Sequence, residues 1–141
     1  MNGRGIGPTD LGYAFAHLTV TVPASADAGF ALRRAIRSLD HYCGPKIAED
    51  LELLVTELAT NGVKHAQIDS NGNRITLDAR VDPHVLRVAV RDRGNGFTPD
   101  SPRERFEPGG WGLVLVDGIA DRWGIERDPT TTVWFELPLA A

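Results

Sequence analysis

Three small groups of polar residues in this chain are of types that can do chemistry. Asp92 closes the run Val85-Leu86-Arg87-Val88-Ala89-Val90-Arg91, whose alternation predicts a β-strand. Successive strand side chains point to opposite faces, so Leu86, Val88 and Val90 share the apolar face and Asp92 has their parity. A carboxylate turned toward an apolar layer is costly unless something donates to it. A backbone amide, a basic side chain or the amino group of a bound ligand would each serve. Gly94 and Gly96 follow at once, where the chain turns flexible.

The second group is Glu57-Leu58-Ala59-Thr60-Asn61. Glu57 and Asn61 are four apart, hence one helical turn apart on one face, with Leu53 and Leu54 on or beside that stripe. One reading is a general base or water-positioning carboxylate (Glu57) beside a metal-ligating amide oxygen (Asn61). The other is ordinary polarity on an amphipathic helix, and the pair alone favours it. The third group is Gly109-Gly110-Trp111-Gly112-Leu113, which opens a helix. Glycines admit close backbone approach, and a helix N-terminus presents free N–H groups to an anion such as phosphate. A plain Gly-rich loop would look the same. Thr131 shares parity with Val133, Phe135 and Leu137, which puts a hydroxyl on the apolar face of the last strand. It would bond a backbone carbonyl, Asp92 or a ligand near Asp92.

The elements that must position these groups are legible along the chain. Residues 1–16 read as a flexible, Gly-rich N-terminus and 17–141 as one domain. His17 to Val22 predicts a short strand. Ser25 is the predicted N-cap of a first helix, with Ala28, Ala31, Leu32, Ala35, Ile36 and Leu39 at helical spacing. A second helix is expected from about Pro45 to Ala66, with Ile47, Leu51, Leu54, Val55, Leu58 and Val63 as its apolar set. Arg74–Val81 and Val85–Arg91 predict a hairpin. A long Gly- and Pro-rich loop over 93–110 is of the functional kind. A third helix over 111–121 and strands near 123–127 and 131–137 complete the order. That order lacks regular βαβ alternation. It predicts an α+β two-layer sandwich: a mixed, mostly antiparallel sheet with three helices on one face.

Bulk properties exclude several classes. The 141 residues carry 15 Lys and Arg against 19 Asp and Glu, a net charge of −4, and the basic residues are scattered, so no nucleic-acid footprint exists. A single cysteine, Cys43, allows neither an intrachain disulfide nor a cysteine-based zinc site. No apolar run reaches membrane-spanning length and no signal peptide opens the chain, so a cytoplasmic location is expected. His17, His41, His65 and His84 lack partners at ligand spacing, and Trp111, Trp123 and Trp134 read as packing residues. A serine-hydrolase elbow and a P-loop are both missing.

Taken together and in order, the three groups resemble a known superfamily. Glu57 to Asn61 resembles the N box of the GHKL ATPases, which include DNA gyrase and the histidine kinases. Asp92-Arg-Gly94-Asn-Gly96-Phe97 is similar to their first glycine box, Gly110-Trp-Gly112-Leu113 to their second, and Thr131 to Pro138 to their closing strand. Within the superfamily, the stretches from Glu57 to Ala66 and from Gly112 to Gly124 look most like the small single-domain anti-sigma-factor serine/threonine kinases of bacteria. A histidine kinase would carry a helical dimerisation module, for which too few residues precede the first helix. Three positions depart from the superfamily pattern: Gly62 stands where Ala is usual, Thr130 where Gly commonly precedes the closing Thr, and the lid is short and Pro-rich.

The resemblance implies a Bergerat-type ATP-binding fold, ATP and Mg²⁺. Asp92 would accept a hydrogen bond from the adenine amino group, with Thr131 in support. Asn61 would ligate Mg²⁺, and Glu57 would orient or deprotonate the attacking hydroxyl. Gly94 and Gly96 would hinge a lid over 95–109. Gly110, Gly112 and Leu113 would belong to the turn that meets the phosphates. The implied function is an anti-sigma factor that phosphorylates a STAS-type anti-anti-sigma factor and sequesters an RNA polymerase sigma factor, with the first helix (Arg33, Arg34) in the partner surface and a homodimer as a candidate assembly. The alternative is a nucleotide-binding regulatory module that acts by partner binding without significant transfer.

Overall fold

The computed structural model describes residues 16–69, 74–92, 111–126 and 130–139, without the side chains of 65–69, 111 and 112. Its elements follow the expected order: β1 Ala16–Pro23, α1 Ala28–Ile36, a 3₁₀ helix Arg37–Tyr42, α2 Pro45–Asp69, β2 Arg74–Val81, β3 Val85–Asp92, α3 Trp111–Ile119, β4 Arg122–Glu126 and β5 Thr131–Pro138. The strands form one sheet in the order β1-β2-β3-β5-β4. Every pairing among the described residues is antiparallel, so no parallel pair makes the sheet mixed. The predicted loose N-terminus and the 93–110 loop lie outside the described residues.

Alternation decides which face is covered. Ile75, Leu77, Ala79 and Val81 of β2, Leu86, Val88 and Val90 of β3, and Val133, Phe135 and Leu137 of β5 are all buried. They meet Leu32 and Ile36 of α1, Leu51, Leu54, Val55 and Leu58 of α2, and Leu113 and Val116 of α3 in one core. The hairpin between β2 and β3 is locked by Asp82: its Oδ1 accepts the backbone N–H of His84 at 2.9 Å and of Val85 at 2.8 Å. This is the local side-chain mimicry of a turn that Asp favours.

Several expected boundaries move, each for a local reason. Asp27, not Ser25, occupies the N-cap position of α1 and makes no side-chain cap bond. Ser25 is used in a turn instead, with its carbonyl accepting the N–H of Ala28. The first helix does not stay α-helical to Leu39. It tightens to 3₁₀ after Ile36, so that Leu39 still reaches the core. Pro45 sits at the first turn of α2, where its missing N–H costs nothing, and Gly44 accepts from Ala48. Leu53, expected near the apolar stripe, is 40% exposed, because it falls one position off the buried Leu51, Leu54, Leu58 row.

The opposite sheet face carries its own fixture. Arg87 stacks on the Trp134 ring at 4.1 Å and bonds Glu136 at 2.9 Å, and Glu136 also pairs with Arg122 at 3.5 Å. Gly124, opposite Trp134 in the register, makes this possible: a Cβ there would lie 2.8 Å from the indole Nε1. Gly124→Ala must lift the indole, losing its packing and its cation–π contact. A loss of about 1–2 kcal/mol is expected in urea unfolding, with a shift in tryptophan emission. An unchanged midpoint together with an unchanged spectrum would refute this account of Gly124.

Candidate functional site

α2 and the C-terminal end of β3 come together at one narrow cleft. Leu58, Asn61, Gly62, Val90, Asp92, Thr131 and Val133 line it, and it holds about 280 Å³ of empty space, open solvent included. Strand parity brings Asp92 there. Asp92 pairs with Ile75 of β2 on one side and with Thr131 of β5 on the other. Asp92 is 8% exposed and Thr131 6% exposed, so carboxylate and hydroxyl stand side by side on the covered face. Asn61 reaches the same cleft from α2.

The polar groups of this cleft are not all satisfied. Asn61 is 7% exposed, and its Oδ1 is buried without a hydrogen-bond partner among the described residues. A buried amide oxygen left unpaired costs about 1–3 kcal/mol, so such a group in a cleft calls for a ligand. An amide oxygen is a hard donor of the kind Mg²⁺ takes. At the other end, a buried carboxylate and hydroxyl beside Val90, Val133 and Leu58 suit a flat heterocycle that carries an exocyclic amino group. The residues present therefore fit ATP with Mg²⁺.

Not every expected site residue joins them. Glu57 is half-buried on α2, one turn before Asn61, and does not line this cleft. Leu113 is buried in the core at the start of α3 rather than in the cleft. Gly112 lies in the first turn of α3, and Gly94, Gly96 and Gly110 lie outside the described residues. Sequence reasoning missed Leu58, Val90 and Val133 as cleft walls, although their periodicity marked them as buried. It noted Gly62 only as a departure from the Ala of the superfamily pattern. An added Cβ at Gly62 would come 3.0 Å from Ile75 Cδ1, closer than ordinary packing contact. Cys43 is remote from this site. Burial, then the nearby Asp40 carboxylate, raises its thiol pKa, so it is a poor nucleophile at neutral pH.

A family model for the histidine kinase-like ATPase domain matches residues 22–137. The chain belongs to that family. Among characterised relatives, the serine-protein kinase RsbW of Staphylococcus aureus is 24% identical over 82% of this chain and 82% of its own length. The RsbW proteins of Bacillus velezensis and Oceanobacillus iheyensis are 30% and 29% identical, with matches over 60% and 52% of this chain. Those two matches span only 61% and 54% of the relatives' lengths. The histidine kinase domain of the Erythrobacter litoralis EL346 blue-light activated histidine kinase has a similar fold. It is 25% identical with a TM-score of 0.57, over 84% of this chain and 62% of that one. This histidine kinase-like ATPase domain thus lies in the GHKL superfamily, close to the anti-sigma kinases. Membership implies ATP as the ligand class of the domain.

A second concavity lies between α1 and α2. Ala26, Gly29, Phe30, Arg33, Thr56 and Lys64 are among its lining residues, around about 800 Å³ of empty space, open solvent included. Phe30 is 52% exposed, with the Arg33 and Arg34 guanidinium groups each 5.9 Å from its ring centre. Arg33 is half-buried rather than free, and its Nη1 donates to Thr56 Oγ1 at 3.3 Å.

Proposed function

We propose that this domain is an ATP- and Mg²⁺-dependent protein serine/threonine kinase, acting in the cytoplasm on a STAS-type anti-anti-sigma factor and binding a sigma factor. The observation that carries the reading is the amide oxygen of Asn61, buried in the same cleft as Asp92 and without a hydrogen-bond partner among the described residues. A site that merely packed would pair that oxygen. In this reading Asp92, backed by Thr131, accepts the adenine amino group, and Asn61 holds the metal. The metal, when bound, neutralises phosphate charge. The superfamily pattern would make Gly94 and Gly96 the hinge of a lid and would bring Gly110, Gly112 and Leu113 to the phosphates; of these only Gly112 and Leu113 fall among the described residues.

Phosphoryl transfer asks mainly for positioning and charge neutralisation. The acceptor hydroxyl oxygen bonds the γ-phosphorus as the bond to the β–γ bridging oxygen breaks. ADP leaves with that electron pair, and Glu57 takes the hydroxyl proton. The half-burial of Glu57 leaves it open to an incoming acceptor. The groove between α1 and α2, with Phe30 between Arg33 and Arg34, supports engagement of an acidic partner segment.

Incubation of the protein with γ-labelled ATP, Mg²⁺ and candidate STAS-domain proteins tests the reading. Label on a Ser or Thr of one of them is the expected result. Tight ATP binding with no labelled acceptor would instead favour a regulatory module that acts by sequestration. Absence of ATP binding in calorimetry would end both.

A further inference from the structure

Gly62 is the residue after Asn61, and helix propensity alone would prefer Ala there. A Cβ at this position would lie 3.0 Å from Ile75 Cδ1, 3.3 Å from Ile75 Cγ1 and 3.7 Å from Asp92 Cβ. Ile75 is fully buried and pairs with Asp92 across the sheet. Gly62 itself lines the cleft with Asn61, Asp92 and Thr131. The helix therefore seats on the strands through a missing side chain, at the turn that carries Asn61.

We propose that Gly62 is a positioning residue: by letting α2 rest directly on Ile75, it sets the separation between the Asn61 amide oxygen and the Asp92 carboxylate. That separation is the span offered to a ligand whose base meets Asp92 and whose metal-bound phosphates meet Asn61. The inference rests on the nucleotide reading above and names the element that tunes it. The two ends differ in mobility. Asp92 is held between β2 and β5 by a ladder on each side, whereas Asn61 moves with its helix. Ile75 is fully buried in the core, where close packing resists a shift of its side chain. A methyl at position 62 therefore displaces α2, shifting Asn61 while leaving Asp92 in place.

The test uses Gly62→Ala, Ile75→Val and the double variant. Ile75→Val removes the Cδ1 atom that the added methyl would meet at 3.0 Å. Affinities for adenosine alone and for ATP with Mg²⁺ are measured by calorimetry, with melting temperature alongside. Gly62→Ala is expected to weaken ATP with Mg²⁺ by about tenfold, a loss of about 1.4 kcal/mol. Adenosine should change by less than about twofold, and the double variant should return to within about threefold of the parent. A merely structural role would not split the two ligands, because general loosening of the core weakens both alike.

Parent-like ATP affinity in Gly62→Ala overturns the positioning role and leaves the nucleotide reading standing. Equal losses for both ligands, or no recovery in the double variant, overturn it as well. A parent protein that binds adenosine and ATP equally weakly removes the nucleotide reading and this inference with it.

Discussion

Asp92→Ala lowers the affinity for ATP by about a hundredfold, close to 3 kcal/mol, while the melting temperature changes little. Both halves follow from burial. The carboxylate is 8% exposed beside Thr131, so a hydrogen bond it accepts from a ligand is shielded from competing water. Bonds to a charged acceptor of this kind are about twice as strong as neutral ones. Desolvating a carboxylate is itself costly, which offsets what its bonds within the protein contribute, so the net change in folding stability should be small. Calorimetry and thermal melting, run on the same samples, read the two effects separately. Asp92→Asn keeps the shape and an acceptor oxygen but loses the charge, and should lose about tenfold. ATP affinity unchanged in Asp92→Ala would remove the base-recognition role. A fall in affinity matched by a collapse in melting temperature would recast Asp92 as structural.

Glu57→Gln produces the opposite pattern. Phosphoryl transfer to the acceptor falls by about 10²–10⁴-fold, the usual span for removing a positioned acid–base group, while ATP affinity stays within about twofold of the parent. Glu57 does not line the cleft that contains Asp92 and Asn61, so it contributes little to holding nucleotide. Its place one turn before Asn61 on α2 puts it beside the proposed metal ligand, where an acceptor hydroxyl would arrive. Gln has nearly the helix propensity of Glu, so α2 is not perturbed. Single-turnover transfer at saturating ATP isolates the chemical step. A Glu57→Gln protein that transfers at the parent rate would show that the proton leaves by another route.

The contrast between these variants reflects how the cleft is divided. Asp92 and Thr131 belong to the sheet, and Glu57 and Asn61 belong to α2. In the proposed function the sheet would supply recognition, and the helix the metal ligand and the base. Gly62, at the contact between the two layers, is the joint. Family membership fixes the general design, yet the 23–30% identity to the RsbW relatives leaves such joints free to differ.

Much of this molecule was legible in local sequence. Alternation over Arg74–Val81, Val85–Asp92 and Thr131–Leu137 determined which side chains would be covered, because a strand's two-residue period follows from backbone geometry alone. It placed Asp92 and Thr131 on one face before any pairing was known. The same logic placed Leu51, Leu54 and Leu58 inside, and the two adjacent alternating segments announced the hairpin. What only the tertiary structure decided is where faces meet. Strand order and register put Thr131 opposite Asp92. The docking of α2 turned Asn61 into the cleft with its oxygen unpaired among the described residues, sent Leu53 outward and gave Leu113 to the core. Gly62 seemed a weakness in a helix, and only its distance to Ile75 revealed a contact. Helix docking is settled by the collective packing of many side chains far apart in sequence, and no local period encodes it.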